Sequence, residues 1–142
     1  MSETANLLVK GELTIKQVYN ALKRLNIKPL LSEKEITNDL LDSSNRAVFL
    51  PIEAGGVTRR LFLCYMTNPT FKVDVEPYIH GKSRKFKGTT KGFLNISLDA
   101  NHLATRILIK LAQELDGGYV QINDCAEGKF GEYQLINSKH NQ

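Results

Sequence analysis

Leu94-Asn95-Ile96-Ser97-Leu98-Asp99 alternates apolar and polar side chains, the period-two signature of a strand with one face in a core. Asp99 stands where a helix N-cap belongs, and Leu103, Ile107, Leu108, Leu111 and Leu115 then recur at helical spacing on one face. Asp116-Gly117-Gly118 stops that helix, because glycine takes the left-handed conformation just past a helix end at little cost. Tyr119-Val120-Gln121-Ile122-Asn123 begins a further strand. A strand, a long helix near residues 99–115 and another strand make this an α+β chain with a mostly antiparallel sheet. The helical connection can rejoin the sheet beside its starting strand or several strands away, so strand order stays open.

Working outward, residues 130–136 supply a last strand, and the tail from Ser138 is polar and expected to fray. Upstream, residues 14–26 read as an amphipathic helix. Thr14 and Gln17 form a capping box, and Ile15, Val18, Leu22 and Leu25 share a face. Ser32 and Glu35 cap a second helix at 33–42, so a helical hairpin is expected at the N-terminus, behind a flexible stretch at 1–12. Ala47-Val48-Phe49-Leu50 is a short strand, Gly55-Gly56 a turn and 58–66 a strong strand. Phe71, Val73 and Val75 alternate with Lys72, Asp74 and Glu76, which predicts a strand at 71–76 after a turn at Asn68-Pro69. The expected order is α-α-β-β-β-β-α-β-β, a sheet of five to six strands in one domain over residues 1–142, with residues 138–142 a loose end.

Composition fits that class. The 142 residues are 42% apolar and 24% charged, enough for one packed core and too balanced for disorder. No apolar run approaches the roughly 20 residues that span a bilayer, and the first residues lack the pattern of a secretory signal. Two cysteines in such a chain are expected to be reduced thiols in a cytoplasm. The sequon at Asn95 lies inside a strand and carries no weight.

Charge is the one uneven property. Residues 81–92 hold five basic residues and no acidic one, leaving 14 basic against 15 acidic residues elsewhere in a chain of net charge +4. Lys82, Arg84, Lys85, Lys87 and Lys91 suit an anionic partner, and Phe86 can stack or anchor. Gly81, Gly88 and Gly92 would let the segment mould to that partner, although the same composition also describes a solvated hairpin tip. Gly81-Lys82-Ser83 is no P-loop. The glycine that motif needs five residues earlier is Glu76 here, and no helix follows.

The remaining chemistry is dispersed. His80, His102 and His140 lie far apart, without the four-residue spacing that brings two imidazoles to one metal. Cys64 reads as a core side chain. Cys125 stands beside Asp124, which would raise its thiol pKa rather than activate it. Asp74 with Glu76 and Glu33 with Glu35 read as solvated pairs, and Gly117-Gly118 as a helix stop and tight turn rather than a ligand cradle. No catalytic residue, metal or cofactor is assigned.

Leu115-Asp116-Gly117-Gly118-Tyr119-Val120, at the end of a long amphipathic helix, loosely resembles small bacterial immunity proteins over about 30 residues, through helix-stop chemistry alone. The resemblance implies a binding class. The leading expectation is a cytoplasmic, non-catalytic module of inhibitor, immunity or adaptor type, meeting an acidic protein surface through Lys82, Arg84, Lys85, Phe86, Lys87 and Lys91. Nucleic-acid binding through the same segment is the alternative. An enzyme would require His80, His102, Cys125 or the carboxylates to converge in one cleft. The pattern does not fix oligomeric state.

Overall fold

The computed structural model describes residues 4–10, 13–32, 34, 48–79, 92–99, 102–121 and 132–139, with the side chains of 4, 10, 99, 102 and 103 excepted. Seven strands form one antiparallel sheet: β1 (Thr4–Lys10), β2 (Lys28–Pro29), β3 (Val48–Ala54), β4 (Val57–Met66), β5 (Phe93–Asp99), β6 (Gly118–Gln121) and β7 (Tyr133–Ile136), in the spatial order β2-β3-β4-β5-β1-β6-β7. Three helices accompany it: α1 (Ile15–Arg24), α2 (Asn68–Asp74) and α3 (His102–Glu114), with a 3-10 turn at Glu76–Tyr78.

The N-terminus departs most from expectation. β1, placed in the stretch expected to be flexible, is a central strand paired with β5 on one side and β6 on the other. Its short run Leu7-Leu8-Val9 is apolar on both faces because both faces are covered: Leu7 and Val9 meet α1 and α3, and Leu8 faces the other way. α1 forms as expected. Thr14 Oγ1 accepts from the Gln17 amide at 3.1 Å while Gln17 Oε1 accepts from the Thr14 amide at 2.7 Å. No helical hairpin follows, because α1 leads directly into β2 in the sheet. Residues 35–42 of the expected second helix lie outside the described residues.

The antiparallel pairings make β5 parallel to β6 and β1 parallel to β2, so α3 and α1 are both crossover helices. They pack on the same face, where Val18 and Leu22 of α1 and Leu108 and Leu111 of α3 meet Leu50, Ile52, Leu61, Leu63, Ile96 and Leu98. The single long helix expected on the sheet is therefore one of two on that face. Asp99 closes β5 and the helix begins at His102, three residues past the expected cap.

Residues 71–76 are the second correction. Thr67 caps α2, its side chain accepting from the Thr70 amide, and Pro69 sits in the first turn, where its missing N–H costs nothing. Phe71 and Val75 are buried one helical turn apart, while Val73 is 70% exposed. The apparent period of two was a period of four with an exposed valine between. Phe71 stacks on Phe93 at 4.1 Å and approaches Tyr119 at 5.8 Å, forming with Leu8, Val75 and Tyr133 a smaller core on the far side of the sheet.

Gly117 and Gly118 divide the tasks expected of them. Gly117 has φ +87° and donates its amide to Ala112 O at 2.9 Å, ending α3. Gly118 lies so close to β1 that a Cβ there would stand 2.7 Å from Leu8 O and 2.6 Å from Leu7 Cδ1. The closeness is to a strand of the same sheet.

Ser138 and Lys139 are pinned where fraying was expected from Ser138 on; residues 140–142 lie outside the described residues. Ser138 is buried, the Lys139 amide donates to Gln113 O at 2.9 Å, and Lys139 Nζ reaches Glu114 Oε2 at 2.5 Å. Arg24 Nε of α1 meets Glu114 Oε1 at 2.5 Å, so a carboxylate only 4% exposed ties α1, α3 and the tail together. Hydrogen bonds from Lys139 and Arg24 hold that carboxyl below the ordinary glutamate range, outweighing burial, which acts oppositely. Its contribution is fully present above the ordinary glutamate pKa and is lost as pH falls through the lower native value. Glu114→Gln should cost about 1–3 kcal/mol at neutral pH. The gap in melting temperature from the parent should close in acid; a gap constant across the acid range would refute the depressed carboxyl.

Candidate functional site

Lys82, Arg84, Lys85, Phe86, Lys87 and Lys91 lie outside the described residues, as do His80, His140, Cys125, Glu33 and Glu35. The two points from which the basic segment departs are described. Ile79 bridges to Tyr133 of β7 and packs on the smaller core. At the other end Gly92 is buried with φ +131°, and a Cβ there would run into Met66 O and the Tyr65 hydroxyl. Gly92 is thus a packed anchor at the start of β5, not the flexible glycine that its place in the sequence implied.

The sheet face away from α1 and α3 carries a row of side chains in register. Tyr133 of β7 pairs with Gln121 of β6, Asn6 of β1 with Ser97 of β5, Ser97 with Phe62 of β4, and Phe62 with Phe49 of β3. The middle of the row is hydrogen-bonded across strands: Ser97 Oγ donates to Asn6 Oδ1 at 2.7 Å, and Asn6 Nδ2 to Gln121 Oε1 at 2.6 Å. Toward β7 this face is covered by the aromatic core under α2. Toward β3 it opens. Phe49 is 52% exposed, its ring centroid 5.0 Å from that of Phe62 and tilted 50° to it, and the exposed Arg60 guanidinium lies 5.0 Å from the Phe49 centroid. An aromatic ring with a guanidinium against it, half in water, has the chemistry to meet planar or anionic groups.

Cys64 belongs to this face and not to the main core. Leu61 and Leu63 point to the helices, so Cys64 points away from them, half-buried beside Asn95. Burial pushes its thiol pKa up, and the contact from Asn95 Nδ2 to Sγ at 4.0 Å opposes this more weakly. Such a thiol is a poor nucleophile at neutral pH. Asn95 Oδ1 is buried and finds no donor among the described residues.

Asp74 and Glu76 are not neighbours on a strand face. Asp74 ends α2 and Glu76 opens the 3-10 turn. The Tyr133 phenol is raised in pKa first by burial and then by the negative charge of Asp74. Among the described residues no three His, Cys, Asp or Glu side chains gather where a metal could bind, and no helix is long and apolar enough to cross a membrane. No protein family, curated protein or solved structure matches this chain.

Proposed function

We propose that this chain is a non-catalytic binding module that meets an anionic partner, with residues 81–92 supplying the charge. The observation that carries this reading is the concentration of five basic residues in one segment of a chain that is otherwise at 14 against 15. The segment is bounded by packed anchors at Ile79 and Gly92, which fix the two points where it meets the fold. An acidic protein surface, as an inhibitor, immunity protein or adaptor would meet, suits five point charges, and its encounter would be steered electrostatically. The second reading, a nucleic acid, is favoured by the exposed Phe49–Arg60 pair, a ring for a base beside a cation for a phosphate.

Affinity capture from the source cells, before and after nuclease treatment, separates the two. Neutralising Lys82, Arg84, Lys85, Lys87 and Lys91 together should slow association with the captured partner by about tenfold or more. Removing charge without removing packed apolar area should shift stability by about 0.5 kcal/mol per residue or less, at most about 2.5 kcal/mol for the five together, as read from thermal unfolding. Unchanged association kinetics in the neutralised variant would remove the segment from the interface.

A further inference from the structure

We propose that the open part of the sheet face at β3 and β4 is a stacking platform for single-stranded nucleic acid, with Phe49 as the primary ring, Phe62 beside it and Arg60 as cation. The proposal rests on the reading of the chain as a module for an anionic partner and names the chemical class of that partner. Three observations favour it over a protein surface.

First, the gap at this site is electrostatically open. Arg60 stacks on Phe49, and no carboxylate is bonded to it among the described residues, leaving the guanidinium available to a phosphate. Glu53 lies on the same face of β3, two residues beyond Pro51, and is the nearest acid along that strand; it pairs across β2–β3 with Lys28, a cation of opposite sign.

Second, the apolar part is small. Among the described residues Phe49 is the one large apolar residue of this sheet face more than half exposed, and Arg60 on the next rung, like Thr58 and Glu53 further along the hairpin, is exposed as well. A protein hot spot needs an anchor ringed by residues that exclude water. A base needs only a π-face and a nearby cation, which these residues supply.

Third, the rings are held by the sheet. Phe49 and Phe62 are direct cross-strand partners in a hairpin whose register is fixed by the Gly55-Gly56 turn, so the platform exists before the ligand arrives. Unpaired bases meet such sheet-borne rings by stacking, whereas a duplex keeps its bases stacked on one another and offers only its backbone.

The test is a titration of the full chain, at low ionic strength, with a fluorescent 12-nucleotide single strand, the duplex of that sequence, and inorganic polyphosphate as an anion without bases. The expected order is single strand tighter than duplex. Phe49→Ala should weaken the single strand by about tenfold and leave polyphosphate unchanged, and Phe49→Tyr should restore the parent affinity. Equal binding of the single strand by parent and Phe49→Ala would overturn the platform while leaving the anion-binding module standing on the polyphosphate result. Absence of binding to all three would overturn the platform too, and capture of an acidic protein that survives nuclease would then carry the module reading.

Discussion

Gly118→Ala should lower stability by about 1–3 kcal/mol, and Gly118→Val by more, although both replace glycine in a strand with a better strand former. The cause is contact with backbone. A Cβ at 118 would stand 2.7 Å from the Leu8 carbonyl oxygen, and that oxygen cannot move without moving β1 at the centre of the sheet. The Leu7 Cδ1 contact at 2.6 Å can relax by rotation; the carbonyl contact cannot. Gly56→Ala is the matching control. Gly56 has φ +77° but nothing within 4 Å of a Cβ, so its cost is backbone strain alone, on the order of 1 kcal/mol. Thermal unfolding of the three variants should rank them Gly56→Ala, Gly118→Ala, Gly118→Val in increasing loss. A Gly118→Val chain as stable as its parent would mean that β6 does not lie against β1 as described.

Phe71→Ala should cost about 3–5 kcal/mol, because it removes the ring stacked on Phe93 from a core that holds six buried residues among those described. Val73→Lys should change stability by no more than about 0.5 kcal/mol, since that side chain is in water. The pair distinguishes helix from strand at this segment. A strand would place 71 and 73 on the same buried face and make both substitutions costly. Chemical denaturation of the two variants decides it, and comparable losses would restore the strand.

The contrast at 71–75 shows what the sequence could and could not convey. Phe71, Val73 and Val75 satisfy a strand by alternation and a helix by the spacing of 71 and 75; only the neighbours break the tie. Thr67 with Pro69 was the available signal, a cap followed by a proline in the first turn, and it outweighs three alternating residues. β1 was hidden for a different reason. Its three-residue apolar run is too short to show a period, and it becomes a strand only through partners far along the chain. Helix α1 was legible because its cap and face are local, and α3 because its face and its glycine stop are. The platform was half legible: a two-residue Gly55-Gly56 turn sets Phe49 opposite Phe62, but which face the helices would leave open depends on the crossovers. The basic segment was visible at once because charge needs no register to be counted.

The position of β1 also dictates a timetable. Asn6 pairs with Ser97, 91 residues later, and bonds to Gln121, 115 residues later. At about 5–20 residues per second on a ribosome, β1 waits roughly 5 to 20 s before either neighbour exists. Until then the β2-β3-β4 half can assemble around α1, but nothing closes on Leu7-Leu8-Val9, which stays apolar on both faces and unpaired on both edges. β5 and β6, both made long after β1, therefore trap it between them, and this dependence on contacts distant in sequence puts the chain among slow folders.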